Sequence, residues 1–181
     1  MTAQAKETEL LDRIARLEDR AAIEDCMVRY SRGMDRRDRP LLRSAYHDGA
    51  IDNHVGYVGE VEGFIDWAFA YHSTQTRYQH YLHNHTVEID GDVAHAETYY
   101  LFIATDGEPL NHMTRSGGRY VDRLERRDGR WAIAERVCVV EWMETTATTT
   151  SEFFAVLSAV QSATHDRKDP SYLRPLVVSG S

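Results

Sequence analysis

Acid–base chemistry near neutral pH calls for an imidazole and for a carboxylate that fixes its tautomer. The strand-like segment HYLHNHTVEI supplies three histidines, His80, His83 and His85. Alternate side chains of a regular strand share a face, so His80 goes with Leu82 and Asn84, while His83 and His85 point the other way. With a two-residue turn at Asp90-Gly91, His80 comes opposite Leu101 and near Tyr99, a face that joins an imidazole to apolar and phenolic side chains. The same parity argues against a zinc site of the HxxHxH type, because the three ligands do not converge. A single strand histidine is otherwise a hydrogen-bonded core or surface residue.

The matching carboxylate is Asp35. It follows Tyr30 and Met34 on the helix side expected to turn inward, away from Arg29, Arg32 and Arg36. It either faces the interior or pairs with a neighbouring arginine or caps the next turn. Facing inward beside His80, it would make that imidazole a general base. No nucleophile elbow or phosphate loop is present, and Gly117-Gly118 stands alone without GxGxxG spacing, so redox and phosphoryl chemistry lack their usual signs. Ten Tyr, five Phe and three Trp suit a flat apolar substrate, although most of those rings must be core.

The elements that would position these groups fall in two blocks. Leu10, Leu11, Ile14 and Leu17, then Ile23, Met27, Tyr30 and Met34, recur at helical spacing and predict a long or broken amphipathic helix to about Arg37. Asp38 is placed to cap a short second helix with Pro40 in its first turn. Ala50 to Val58 reads as a short strand, and VEGFIDWAFAYHSTQ as a third helix. The period then changes to two: His80–Ile89, Val93–Ala104, Gly118–Arg127 and Trp131–Met143 are strands, with Asp90-Gly91 and Asp128-Gly129 at hairpin positions. TTATTT is expected as a turn to a closing helix that carries Phe153, Phe154, Leu157 and Val160. Helices followed by long antiparallel strands imply an α+β cone, with helices on one face of a curved meander and a cavity at the open end.

A chain of 181 residues, 42% hydrophobic, fits one domain with a full core, here about 17–163, plus a C-terminal arm, 164–181, that is flexible or contacts a partner. The net charge of −8 argues against nucleic-acid and anionic-lipid partners. No run approaches the roughly 18 apolar residues of a membrane span, and the N-terminus lacks signal-peptide character, so a cytoplasmic location is expected. Cys26 and Cys138 stand far apart with no CxxC spacing, as buried free thiols do.

The segments AAIEDCMVRYSRGMDRRD, QHYLHNHTVEIDGDVAHAETYY and SGGRYVDRLERRDGRWAI resemble the SnoaL-like branch of the nuclear transport factor two-like superfamily, over roughly Leu17 to Met143. The resemblance implies a cone-shaped, curved antiparallel or mixed sheet with N-terminal helices on its concave face. Within the branch the sequence is most similar to the scytalone dehydratase, bile-acid dehydratase and hexachlorocyclohexane dehydrochlorinase type, which eliminates with a His and Asp dyad. Asp35 in GMDRRD and His80 in HYLHN fall on the dyad positions, and Tyr30 on that of a phenol that assists the leaving group. His54 falls near a second tyrosine of those dehydratases, so an imidazole stands where they carry a phenol. Arg136 lies near a pocket arginine, with Arg119 competing for that role and a solvated strand arginine as the alternative for Arg136.

The implied activity is a cofactor-free, metal-free lyase of a hydrophobic, aromatic or polycyclic small molecule. It would act by dehydration, HX elimination or a retro-aldol loss of a fragment such as formaldehyde. The alternatives are an isomerase or polyketide-cyclase-like enzyme, a non-catalytic binding protein, or a subunit like the small chain of ring-hydroxylating oxygenases. A homodimer or homotrimer is expected.

Overall fold

The computed structural model describes residues 2–107, 111–148 and 163–177. Helix α1 runs Ala3–Asp35, capped by Thr2, whose hydroxyl accepts from the Ala5 amide. It ends where Arg37 takes a left-handed φ of 47°. Asp38 then caps α2 (Arg39–Arg43), accepting from the Leu41 amide at 3.2 Å. Gly33 makes this corner possible, because a Cβ there would come within 2.5 Å of the Leu42 backbone. Strands β1 (Tyr46–His54) and β2 (Tyr57–Glu60), helix α3 (Val61–Tyr71) and a 3₁₀ turn (His72–Thr74) follow. The long strands are β3 (Gln75–Asp90), β4 (Val93–Asp106), β5 (His112–Arg127) and β6 (Arg130–Ala147), and a second 3₁₀ turn covers Pro170–Tyr172.

The six strands form one mixed sheet in the order β2-β1-β6-β5-β4-β3, with β1 parallel to β6 and every other pair antiparallel. Register shifts between Leu82 and His85 on β3, and between Gly117 and Gly118 on β5, bend the sheet. Ile23, Met27, Tyr30 and Met34 of α1 and Phe64, Ile65 and Ala68 of α3 pack on the face that carries Tyr78, Tyr100, Phe102, Tyr120 and Leu124. The α+β cone with helices over one face of a curved sheet is therefore the observed architecture.

Several local expectations are corrected. Leu10, Leu11, Ile14 and Leu17 continue α1 but lie beyond its packed part, with Leu17 67% exposed; burial begins at Ile23. The segment read as one strand from Ala50 is a hairpin, β1 and β2, that turns at Val55-Gly56. The hairpin between β3 and β4 turns on Gly91-Asp92 rather than Asp90-Gly91, since Asp90 pairs with Val93. Thr145, Thr146 and Ala147 belong to β6 rather than to a turn. The closing helix expected over Phe153–Val160 lies outside the described residues. The arm at 163–177 folds back on the end of α1, where Arg167 and Tyr172 bond Asp38 and Arg36 pairs with Asp169.

Candidate active site

A cavity of about 300 Å³ opens between α1, α3 and the covered sheet face. Its wall is largely aromatic: Tyr30, Trp67, Tyr71, Tyr100, Phe102 and Tyr120, with His54, His72, His80, Ser116 and Cys138 as the main polar groups. That size is at the lower end of small-molecule pockets and suits a ligand of one or two rings.

Asp35 is the last residue of α1, and the pairing of β3 with β4 brings His80 beneath it. Its Oδ1 lies 2.7 Å from His80 Nδ1, and both carboxylate oxygens accept from the His80 backbone amide, at 3.1 and 3.2 Å. An ionised carboxylate only accepts, so Nδ1 carries the proton and Nε2 is left as the basic nitrogen. The side chains are 6% and 14% exposed, and the His80 ring lies 4.8 Å from Phe102, so little water competes for the pair. The arm touches this end of the helix too: His165 Nδ1 bonds the Asp35 carbonyl at 2.7 Å and the ring stacks on Tyr78.

Tyr30 reaches the cavity from the preceding turn of α1. Burial pushes its phenol well above the usual range, and its buried hydroxyl has no hydrogen-bond partner among the described residues. Leaving a buried hydroxyl unpaired costs about 1–3 kcal/mol. A ligand oxygen that paired with it would recover that cost.

His54, the last residue of β1, lies against Phe64, Trp67 and Tyr120, with ring centroids 5.1, 5.9 and 6.0 Å away. Its Nδ1 lies 3.2 Å from Oδ1 of Asp52, a fully buried carboxylate whose other oxygen accepts from the Tyr46 hydroxyl at 2.6 Å. Burial opposes charge on His54, but the hydrogen bond to Asp52 and the neighbouring Cys138 outweigh it and raise its pKa to about 9. His72 goes the opposite way. Burial and the nearby His80 push it down to about 3, so it is a neutral ring whose Nδ1 bonds Gln75 at 2.7 Å.

The two arginines have other places. Arg136 is neither solvated nor in the cavity wall: it is fully buried below it, donating Nε to Asp122 Oδ1 at 2.6 Å and Nη2 to Oδ2 at 2.8 Å. Its guanidinium lies 4.0 Å from the Tyr30 ring and 4.3 Å from that of Tyr120, so it braces the floor. The adjacent Asp122 carboxylate outweighs burial and keeps Arg136 charged. Arg119 points to the outer face, where it bonds Glu97 and Glu141 at 2.7 Å each.

Tyr99 and Leu101 are corrected for one reason. His80 pairs with Phe102, one residue from the expected register, which puts Tyr100 and Phe102 in the cavity and turns Tyr99 and Leu101 outward. The shift between Leu82 and His85 also reverses the parity of β3, so that His85 faces inward with Thr98, 2.8 Å from its hydroxyl, and only His83 stays on the outer side. Asp52, His72, Tyr100 and Ser116 were missed. Asp52 shares a face of β1 with His54, but that spacing alone does not separate a buried carboxylate from a solvated one.

The chain belongs to the SnoaL-like domain family, whose model matches residues 15–137, and its architecture is that of the nuclear transport factor two-like superfamily. Among solved structures, a hexachlorocyclohexane dehydrochlorinase (LinA type 2) is 25% identical with a TM-score of 0.69, covering 76% of this chain and 95% of that chain. LinA type 3 from Novosphingobium barchaimii is 24% identical with a TM-score of 0.69, covering 76% and 97%. A scytalone dehydratase-like protein from Novosphingobium aromaticivorans is 18% identical with a TM-score of 0.62, covering 75% and 91%. At such identities the last two speak for the fold. No curated protein matches the sequence.

Proposed function

We infer that the protein is a cofactor-independent lyase that acts on a hydrophobic, aromatic or polycyclic small molecule. The observation that carries this reading is the 2.7 Å bond between Asp35 and His80 Nδ1 in the wall of an aromatic cavity. A substrate stacks among Tyr100, Phe102 and Tyr120, and the oxygen that develops charge meets the unpaired Tyr30 hydroxyl. His80 Nε2 removes a proton from the substrate, and Asp35 stabilises the imidazolium that results. Every residue invoked here acts by proton transfer, hydrogen bonding or packing. The dehydrochlorinase neighbour at 25% identity supports elimination as the reaction class.

The test is a substrate panel of benzylic alcohols, β-hydroxy aryl ketones and alkyl halides, read by product mass. Loss of water, hydrogen halide or formaldehyde supports a lyase. Turnover without mass change identifies the isomerase alternative, in which the same base returns the proton elsewhere. Absence of turnover, with a large partner chain co-purifying, would overturn both in favour of a non-catalytic subunit.

A further inference from the structure

The cavity holds a second imidazole–carboxylate pair that the base at His80 does not use. His54 stands on β1 and His80 on β3, near opposite ends of the strand order, and the curved sheet brings both to one cavity. Each imidazole bonds a carboxylate through Nδ1: His80 to Asp35 at 2.7 Å, His54 to Asp52 at 3.2 Å. Asp52 has no exposure, and the Tyr46 hydroxyl occupies its other oxygen. It is also in register with Arg136, which is in register with Asp122 on the next strand, so the carboxylate belongs to a row of charge fixed across three strands. Directly after His54, Val55 holds a φ of 38°, a region costly for a β-branched residue, so the chain ends β1 under strain beside this imidazole. Among the described residues, the side-chain hydrogen bonds to this buried carboxylate come from an imidazole and a phenol, and burial of the pair is less costly when the imidazole holds a proton.

We propose that His54, positioned by Asp52, is the general acid opposite the base His80, and that the natural reaction therefore generates a group that must be protonated, a departing hydroxyl or the carbanion left by C–C cleavage, rather than a free halide. The inference rests on His80 being the base. Halide departs as a stable anion and needs no proton donor, whereas hydroxide and a carbanion are poor leaving groups without one. In a dehydration, His80 Nε2 takes the β C–H proton, that bond's electrons form the C=C bond, and the C–O bond breaks as the oxygen receives the proton from His54. Water leaves, His80 is then cationic and His54 neutral, and proton exchange with solvent restores both. In a retro-aldol cleavage His80 takes the hydroxyl proton, the O–H electrons form the C=O bond of the departing carbonyl fragment as the C–C bond breaks, and the retained carbon keeps that bond's electron pair and takes the proton from His54. The groups that face His54 suit a standing cation: Asp52 on its own strand, Cys138 of β6, the ring face of Tyr120 on β5, and Phe64 and Trp67 of α3. His72, across the cavity, is neutral.

The experiment reads the proton directly. In ¹⁵N-histidine NMR of the intact protein, the His54 ring is expected in its doubly protonated form at pH 7.5, and in Asp52→Asn in the neutral form. The second measurement uses 4-nitrophenol as probe, followed by the absorbance of its phenolate below its own solution pKa. The wild type should bind it as phenolate. His80→Gln should retain that signature, and His54→Gln should lower the bound phenolate-to-phenol ratio about tenfold or more, equivalent to one pKa unit. A neutral His54 at pH 7.5 in the wild type, or a phenolate signature unchanged in folded His54→Gln, overturns the proposal. The wild-type NMR needs no variant to fold. It is also independent of turnover, so a cationic His54 found alongside an active His80→Ala would refute the base assignment and not the protonated His54.

Discussion

Among the described residues, His80 alone of the histidines combines a short Nδ1 bond to a carboxylate side chain with a backbone amide donated to the same carboxylate. This geometry makes it the centre of the mutational predictions. His80→Ala is expected to lower turnover by about 10² to 10⁴ with the melt unchanged, since general base catalysis contributes that much. Asp35→Asn should be nearly as harmful, because the amide keeps the shape but no longer stabilises an imidazolium. Steady-state rates beside thermal melts check both, and a folded, fully active His80→Ala would end the reading. His83→Ala should be mild. His85→Ala belongs to a different class, since His85 faces inward and bonds Thr98; its effect is expected in the melt rather than the rate. Arg136→Met removes the counter-charge of a fully buried carboxylate at Asp122 and should destabilise the fold by about 3–5 kcal/mol in urea unfolding.

At the scale of elements, the end of α1 is held from two sides. Sheet residue Tyr78 bonds the Met34 carbonyl, and the C-terminal arm engages Asp35, Arg36 and Asp38. Two of the arm's anchors are carboxylates. Asp38 is buried, which raises its pKa, but bonds from Tyr172, the Leu41 amide and Arg167 outweigh this and hold it below the ordinary 3.8. Asp169 is lowered likewise, its burial outweighed by bonds from Ser171 and the charge of Arg36. A depressed carboxylate pKa contributes stability that is present above the unfolded value and lost as pH falls through the folded one. The arm is therefore expected to release first on acidification, below about pH 4. Hydrogen exchange of residues 163–172 against that of β4 and β5 checks this; equal loss of protection in both would refute it. Before that release, His165 and its neighbours keep Asp35 in place.

At the scale of the whole molecule, the covered sheet face is complete and the other face is not. Tyr81, Tyr99, Val121 and Val137 are exposed on the outer side, as are Leu10, Leu11, Ile14 and Leu17 along the free part of α1. Apolar area of that extent marks association, so a dimer or trimer is expected by size-exclusion chromatography with light scattering, and a monomer at all concentrations would sink the idea. Among the described residues no group of three His, Cys, Asp or Glu comes together to hold a metal, and His80 and His85 bond different partners. Dialysis against a chelator is accordingly expected to leave activity and melting unchanged; activity lost and then restored by zinc would contradict this. Among the described residues no helix is long and apolar enough to cross a membrane.

The sequence by itself determined whatever is written locally. A period of 3.6 over Ile23–Met34, the Asp38-Pro40 helix start and the Asp128-Gly129 turn, with φ of 53° and 75°, each follow from near neighbours, and together they specify helices on a curved meander. For Asp35 and His80 the residues alone gave a carboxylate and an imidazole that could face inward, and their pairing was expected from the family resemblance; the bond itself is a tertiary contact between a helix end and a strand 45 residues on. Tertiary structure alone decided the rest. A bulge adds one residue to a strand and reverses its parity, and nothing local in HYLHNHT announces it, so His85, Tyr99 and Leu101 were assigned to the wrong sides. Arg136 and Asp122 come into register across the β5–β6 hairpin and Asp52 joins them only because β1, far away in the chain, lies parallel to β6, and a buried charge is tolerable only where such partners converge. For the same reason Asp52 is indistinguishable from a solvated strand carboxylate until β6 is laid beside β1.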